Sequence, residues 1–362
     1  MASPPPADIP QVRKSQGNVK LTREEFNRRL GERFSDPAFD PVRTQIGEVM
    51  DVAWKNYDEY HKNPRKRKAG PGFADPEFEL PVEWLDTRQR IIEAQERYKD
   101  PKSPSRILLV CAAARHDQTC PGEMSKTFRL VRMAREEIAK EADFEIDLLD
   151  LSMLTAQYGR QILPCKACVS TAMPLCHWPC SCYPNHAMGQ VNDWMNELYP
   201  RWVAAHGIMI VSPVYWYQAP SVLKLLIDRL VCADGGNPDP TTTHGKKPEE
   251  AKALELAGWN YPRHLSGRLF SIVAHGDTEG ADVLRRSLTD WLNDMELIEV
   301  SAIDRYIGYY EPYATSHDAL DRDTAIQQEV RNSARMLIEA VGLQRAGKLP
   351  QPGRNLKDPR PK

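Results

Sequence analysis

The chain has 362 residues, 41% of them hydrophobic and 27% charged, with a formal net charge of -2. That size suits one large or two smaller globular domains, and the charge gives no long-range attraction for a polyanion, so nucleic acid is not expected as a main partner. No run of about 18 apolar residues is present, so neither a transmembrane helix nor a membrane partner is expected. The opening MASPPPADIPQVRKSQ lacks the apolar core of a secretory signal. The expectation is a cytoplasmic protein whose eight cysteines are thiols or metal ligands rather than disulfides.

Residues 1–20 are Pro-rich and polar and read as disordered. Helical patterns run from Leu21 to about Tyr60, opened by a capping box of Thr22 and Glu25. The basic run HKNPRKRKAGPG reads as a solvated linker. Val82–Tyr98 reads as a helix, and Asp100-Pro101-Lys102-Ser103-Pro104 breaks it. Strand and helix then alternate. Arg106–Cys111, Phe144–Leu151, Gly207–Val211, Leu269–His275 and Leu297–Ile303 read as strands. Ser125–Lys140, Val191–Ala205 (with Pro200 inside), Pro220–Val231, Ala281–Met295 and Thr324–Val341, ending at Gly342, read as helices. Five strands separated by helices imply an α/β doubly wound parallel sheet with right-handed crossovers. Tyr158–Met188 and Ala233–Gly267 interrupt it as insertions. The expected organisation is a partly disordered, then helical N-terminal extension (1–102), the sheet domain (103–345) and a loose C-terminal tail (346–362).

Three segments follow strands. After the third comes Ser212-Pro213-Val214-Tyr215-Trp216-Tyr217-Gln218, aromatic rings at the carboxyl end of a strand, where open α/β sheets bind ligands. After the first comes CAAARHDQTCPGEMSKTFRL, in which Ser125 and Thr127 open a helix and Arg115 and Lys126 supply cations, donors that suit a phosphate as well as a plain helix cap. After the fourth comes His275-Gly276-Asp277-Thr278-Glu279-Gly280, whose glycines let backbone approach a flat ring. His275 reads as structural and Asp277 as a possible cap of the next helix. Neither GxGxxG nor GxxxxGK[ST] occurs, which argues against a Rossmann dehydrogenase or an NTPase.

Ser212-Pro213-Val214-Tyr215, with Ile227-Asp228-Arg229 on the following helix, resembles the flavin-ring loop of the flavodoxin-like NAD(P)H-dependent FMN reductases. The resemblance covers about Ser103–Leu343. It implies a flavodoxin-like five-stranded sheet of order 2-1-3-4-5 and FMN as cofactor. NAD(P)H would be the hydride donor and a quinone, free flavin or other small molecule the acceptor, in an oxidoreductase that forms a homodimer or homotetramer. It implies phosphate contacts from Ala113, Arg115, Ser125, Lys126 and Thr127, and ring contacts from Pro213, Val214, Tyr215, Trp216, Tyr217 and Gln218. His275, Gly276, Asp277 and Gly280 would close over the ring. No catalytic base stands out. The phosphate loop departs from the family pattern, with Ala112-Ala113 in place of Gly-Ser and several extra residues.

Pro164–Asn185 holds Cys165, Cys168, Cys176, Cys180 and Cys182 in the spacing C-x2-C-x7-C-x3-C-x-C, with His177 among them. Cys165, Cys168, Cys176 and Cys180 are candidate metal ligands. The loop suits an iron–sulfur cluster, a structural zinc, or buried or redox-active thiols. It partly resembles the cysteine motif of iron–sulfur flavoproteins, which implies an electron carrier as the alternative function. Cys111, Cys120 and Cys232 read as packing residues.

Overall fold

A computed structural model describes residues 15–120, 122–258, 263–277, 279–308 and 316–350. The Pro-rich start up to residue 14, most of the C-terminal tail, Thr278 and the side chain of Cys232 lie outside the described residues. In chain order the elements are α1 (Arg23–Gly31), α2 (Arg43–Asp58), β1 (Lys66–Lys68), β2 (Glu79–Pro81), α3 (Val82–Lys99), β3 (Ser105–Cys111), α4 (Lys126–Ile138), β4 (Phe144–Asp150), α5 (Met153–Ala156), α6 (Met195–Ala204), β5 (Gly207–Pro213), α7 (Ser221–Asp234), α8 (Pro248–Leu256), β6 (Leu269–Gly276), α9 (Ala281–Asp294), β7 (Ile298–Tyr306), α10 (Ser316–Arg322) and α11 (Thr324–Arg345). They divide into two compact units. One is Met1–Arg88 with Lys166–Asp193 and Gly235–Pro262; the other is Gln89–Cys165 with Trp194–Asp234 and Arg263–Lys362.

The second unit is built on a parallel five-stranded sheet ordered β4-β3-β5-β6-β7. β3, β5 and β6 are continuous apolar runs because every residue of each is buried, as helices on both faces require. Ile107, Leu109, Cys111, Met209, Val211, Leu269 and Val273 face a layer formed by α4 and α11, through Leu130, Val131, Ala134, Val330, Leu337 and Val341. The alternate residues Leu108, Val110, Ile208, Ile210, Phe270 and Ile272 are equally buried on the other face. Each such side chain is worth roughly 1.5–3 kcal/mol. Gly342 does not stop the last helix: α11 runs through it to Arg345, since Gly342 does not take the left-handed conformation that ends a helix.

In the first unit Thr22 caps α1 by accepting from the Glu25 N–H at 3.3 Å. The capping box is only half made, since the Glu25 carboxylate turns outward to Arg28 and Arg29. The basic run is not a linker. Lys66–Lys68 pairs antiparallel with Glu79–Pro81 as an exposed ribbon, its charges matched by Glu77, Glu83 and Asp86. The ladder continues past the strand, with the Ala69 N–H donating to the Phe78 carbonyl at 2.8 Å. Leu80, Trp84 and Leu85 form a small core below it, and the Trp84 indole N–H donates to the Pro179 carbonyl at 2.7 Å.

Candidate functional site

The carboxyl ends of β3, β5 and β6 bring three loops of the second unit together. The loop after β5 is the most unusual. Tyr215 and Gln218 exchange both backbone hydrogen bonds, at 2.9 and 3.0 Å, and the two residues between them have positive φ, 49° for Trp216 and 65° for Tyr217. Two left-handed residues inside a four-residue turn are the mark of a type I′ turn, which normally takes Asn-Gly. Here it carries two bulky aromatic residues, at a cost of about 1–2 kcal/mol each. The result is presentation: Trp216 is 93% exposed and Tyr217 58%. Backbone strain held at a loop tip and used to expose rings points to binding.

The turn is anchored at both ends. The Val214 N–H donates to the His275 carbonyl at 2.8 Å, and Pro213 pairs with His275 in the sheet. The Tyr215 hydroxyl is raised above the ordinary tyrosine range by burial, and a hydrogen bond with the Ala114 backbone opposes that shift. This contact ties the loop after β5 to the loop after β3. The third loop closes on the turn through Gly280, whose φ is +105° and whose missing Cβ would lie 3.1 Å from the Tyr217 Cα and ring and 3.4 Å from Val214. α9 starts from Gly280 with no side-chain cap, so Asp277 is not a capping residue; it is exposed beside Gly276.

The loop after β3 ends in α4. Ser125 is the N-cap, its hydroxyl accepting from the Phe128 N–H at 3.0 Å. Thr127 is buried, and its hydroxyl lies 2.9 Å from the His275 Nε2. Burial, then the nearby Lys126 cation, pushes His275 down to about 3, so a neutral imidazole fixes the Thr127 hydroxyl. His275 thus ties the end of β6 to the start of α4 through Thr127. Arg115, Ser125, Met124, Phe128, His116, Asp117 and Asp150 line one cleft. Within it the Arg115 guanidinium pairs with Glu123, and Glu123 in turn meets His317 Nε2 at 2.9 Å. Neither Glu123 nor His317 stands out in the sequence, since nothing near His317 in sequence points to the loop after β3. Ala113 is buried two residues past β3.

The cysteine loop belongs to the first unit, except that Cys165 falls in the second. In the first unit the Lys246 ammonium donates to Cys168 Sγ at 3.2 Å and to Cys182 Sγ at 3.1 Å, and the two sulfurs are 3.5 Å apart. Hydrogen bonds from Cys168 and Cys180, then the Lys246 charge, pull the Cys182 thiol well below its ordinary range. The hydrogen bond to Cys182, then burial, holds the Cys168 thiol high. Burial opposes the charge on Lys246, but the Cys182 and Cys168 sulfurs outweigh it and raise the ammonium above the lysine range. His177 is buried and pushed down to about 3 by burial, then by Lys246, and its Nδ1 meets Ser181 Oγ at 2.7 Å. The Lys62 ammonium donates to the Ser181 carbonyl at 2.7 Å. Backbone closes over this loop at Gly236, where a Cβ would fall 2.6 Å from the His177 carbonyl carbon. Among the described residues, no group of three or more His, Cys, Asp or Glu is placed to hold a metal ion. Lys246 lies 64 residues from Cys182, so spacing within the cysteine motif could not reveal it.

A parallel five-stranded sheet in this order, with an aromatic turn, a helix N-terminus and a glycine-closed third loop at one carboxyl edge, defines a flavodoxin-like α/β protein. Residues 105–311, more than half of the chain, match the NADPH-dependent FMN reductases, and the chain belongs to that family. It is an FMN-dependent NAD(P)H oxidoreductase. An iron–sulfur flavoprotein of Methanosarcina thermophila is 35% identical over 207 residues, 57% of this chain and 84% of that protein. Among solved structures, an FMN-dependent NADH-azoreductase from Bacillus anthracis in complex with FMN is 16% identical, with a TM-score of 0.38, covering 64% of this chain and 99% of that one. An NAD(P)H:quinone oxidoreductase from Methanothermobacter marburgensis is 13% identical, with a TM-score of 0.37, covering 64% and 95%. Among the described residues, no helix is long and apolar enough to cross a membrane.

Proposed function

We propose that this chain holds FMN between the three loops of the second unit and delivers reducing equivalents from NAD(P)H to a small acceptor such as a quinone or a free flavin. The observation that carries this reading is the strained turn that exposes Trp216 and Tyr217. A flat, apolar ring system laid on these rings would remove their surface from water. The residues fit the cofactor. Ser125, Lys126 and the N-terminus of α4, with Arg115 beside them, offer N–H, hydroxyl and cation to a phosphate. Gly280 lets the third loop close against Tyr217 and Val214 of the aromatic turn. When bound, FMN supplies the hydride and electron chemistry; the chain supplies position. Thr127 is held by neutral His275 and keeps the start of α4 in register with β6. The Tyr215 hydroxyl, tied to Ala114, fixes the distance between phosphate loop and aromatic turn.

The name of the Methanosarcina thermophila relative raises an iron–sulfur cluster, for which Cys165, Cys168, Cys176 and Cys180 would be the ligands. The contacts of Cys168 support a metal-free reading instead. Lys246 donates to that sulfur at 3.2 Å and to Cys182 at 3.1 Å, and among the described residues no group of three or more His, Cys, Asp or Glu is placed to hold a metal ion. We further place the protein in the cytoplasm as a homodimer or homotetramer, which light scattering would check.

The test is the visible spectrum of purified protein, with iron and zinc assayed on the same sample, followed by NADPH under anaerobic conditions. Flavin bands that bleach with NADPH and return with a quinone support the reading. Absence of flavin bands after added FMN overturns it.

A further inference from the structure

We propose that Cys168 and Cys182 form a two-electron dithiol/disulfide site, with Lys246 as its fixed cation, that is oxidised by small hydroperoxides. Three observations converge on this pair. The sulfurs are 3.5 Å apart, so closing to the bond length of about 2.05 Å needs a shift of about 1.5 Å in all. One ammonium donates to both sulfurs, an arrangement that favours sulfur anion at either position. The two differ in access: Cys182 is 5% exposed, whereas Cys168 is half-buried. A site with one shielded and one approachable sulfur has a direction built into it.

The chemistry balances. The Cys182 sulfur attacks one oxygen of the hydroperoxide; the O–O bond breaks, and hydroxide leaves and takes up the proton that the thiol has lost. The product is a sulfenic acid at Cys182. The Cys168 thiol then attacks that sulfur, the S–O bond breaks, and water leaves with the Cys168 proton. Two thiols and one hydrogen peroxide give one disulfide and two waters. The return uses a small thiol. Its thiolate attacks Cys168, the approachable sulfur, and Cys182 departs as the thiolate beside Lys246, the better leaving group. A second thiol frees Cys168 and carries away a small-molecule disulfide. Access to Cys182 restricts the oxidant to a molecule little larger than water. Cys180, which hydrogen-bonds to Cys182, is the competing partner that an experiment has to distinguish.

Full-length protein, reduced and transferred to anaerobic buffer, is titrated with hydrogen peroxide. Remaining thiols are then blocked with iodoacetamide in denaturant, and the digest is read by mass spectrometry. The expected result is that one equivalent of peroxide joins the peptides carrying Cys168 and Cys182 before exposed Cys120 is modified. In Cys168→Ser the expected product is instead a sulfenic acid at Cys182, trapped by dimedone. Lys246→Met slows oxidation of the pair by about tenfold or more, while Lys246→Arg keeps most of the rate; circular dichroism of each variant shows that the fold persists. The proposal is overturned if Cys168 and Cys182 are still alkylated after Cys120 is oxidised, if the link runs to Cys176 or Cys180, or if Lys246→Met oxidises at the wild-type rate. It is equally overturned if stoichiometric iron or zinc protects these cysteines in the purified protein.

Discussion

Glu123 and Gly280 act on the proposed FMN site in opposite ways. Glu123 neutralises Arg115, which lines one cleft with Ser125, the cap of α4. A partly exposed ion pair of this kind is worth about 0.2–1 kcal/mol, and a phosphate has to compete with it. Glu123→Gln therefore leaves Arg115 to the phosphate, and FMN affinity should rise by up to about fivefold, measured by fluorescence quenching of the flavin; an unchanged or weaker affinity would show that Arg115 does not meet the phosphate. Gly280 is constrained twice, by its positive φ and by the 3.1 Å approach of Tyr217. Gly280→Ala should cost about 1–3 kcal/mol of stability and lower FMN affinity as Tyr217 is pushed aside. Wild-type affinity and melting temperature in this variant would remove the link between the two loops.

The turn between β5 and α7 shows what an element can and cannot disclose in advance. Replacing Trp216-Tyr217 with Asn-Gly puts the residues favoured by a type I′ turn where two aromatic residues now sit. The double variant should melt higher by several degrees, from about 2–4 kcal/mol of strain released over the two residues, yet bind FMN at least about tenfold more weakly. A variant that binds FMN normally would mean that the rings serve something else. The sheet itself is legible in the sequence because β3, β5 and β6 are buried on both faces and so written as unbroken apolar runs. SPVY and the Ser125 cap are legible for a similar reason, since local chemistry fixes them. What sequence hides is contact at a distance. The Thr127–His275 bond spans 148 residues, and Lys246 reaches Cys168 across 78. The basic run at Lys66 misleads because its pairing partner, Glu79–Pro81, is unremarkable by itself.

Across the whole molecule the buried histidines set how stability depends on pH. His206 is pushed down to about 4 by burial, then by Arg345, and His275 to about 3 by burial, then by Lys126. Each is uncharged in the folded chain until well below the ordinary histidine value of 6.5. The unfolded chain takes up these protons first as pH falls, so the stability they contribute is complete above about pH 6.5 and is lost between there and their folded values. At pH 5 the loss is roughly 2 kcal/mol for each of these two histidines. His264, lowered to about 4 chiefly by burial, acts in the same direction. Asp234 acts against them. Burial raises it to about 6, despite hydrogen bonds from the Leu265 N–H and the Tyr199 hydroxyl. It therefore takes up a proton in the folded chain first, and its contribution grows as pH falls from about 6 towards 3.8, by about 1.4 kcal/mol per unit. The three histidines together outweigh one aspartate. The urea midpoint should therefore fall between pH 7 and pH 5, by a free energy on the order of 4 kcal/mol. His206→Gln should shrink that difference by close to half, because glutamine takes up no proton at either pH. A midpoint that is equal or higher at pH 5 would mean that these imidazoles are charged in the folded protein. In that case His275 could not hold the Thr127 hydroxyl as an acceptor, and the start of α4 would lose its tie to β6.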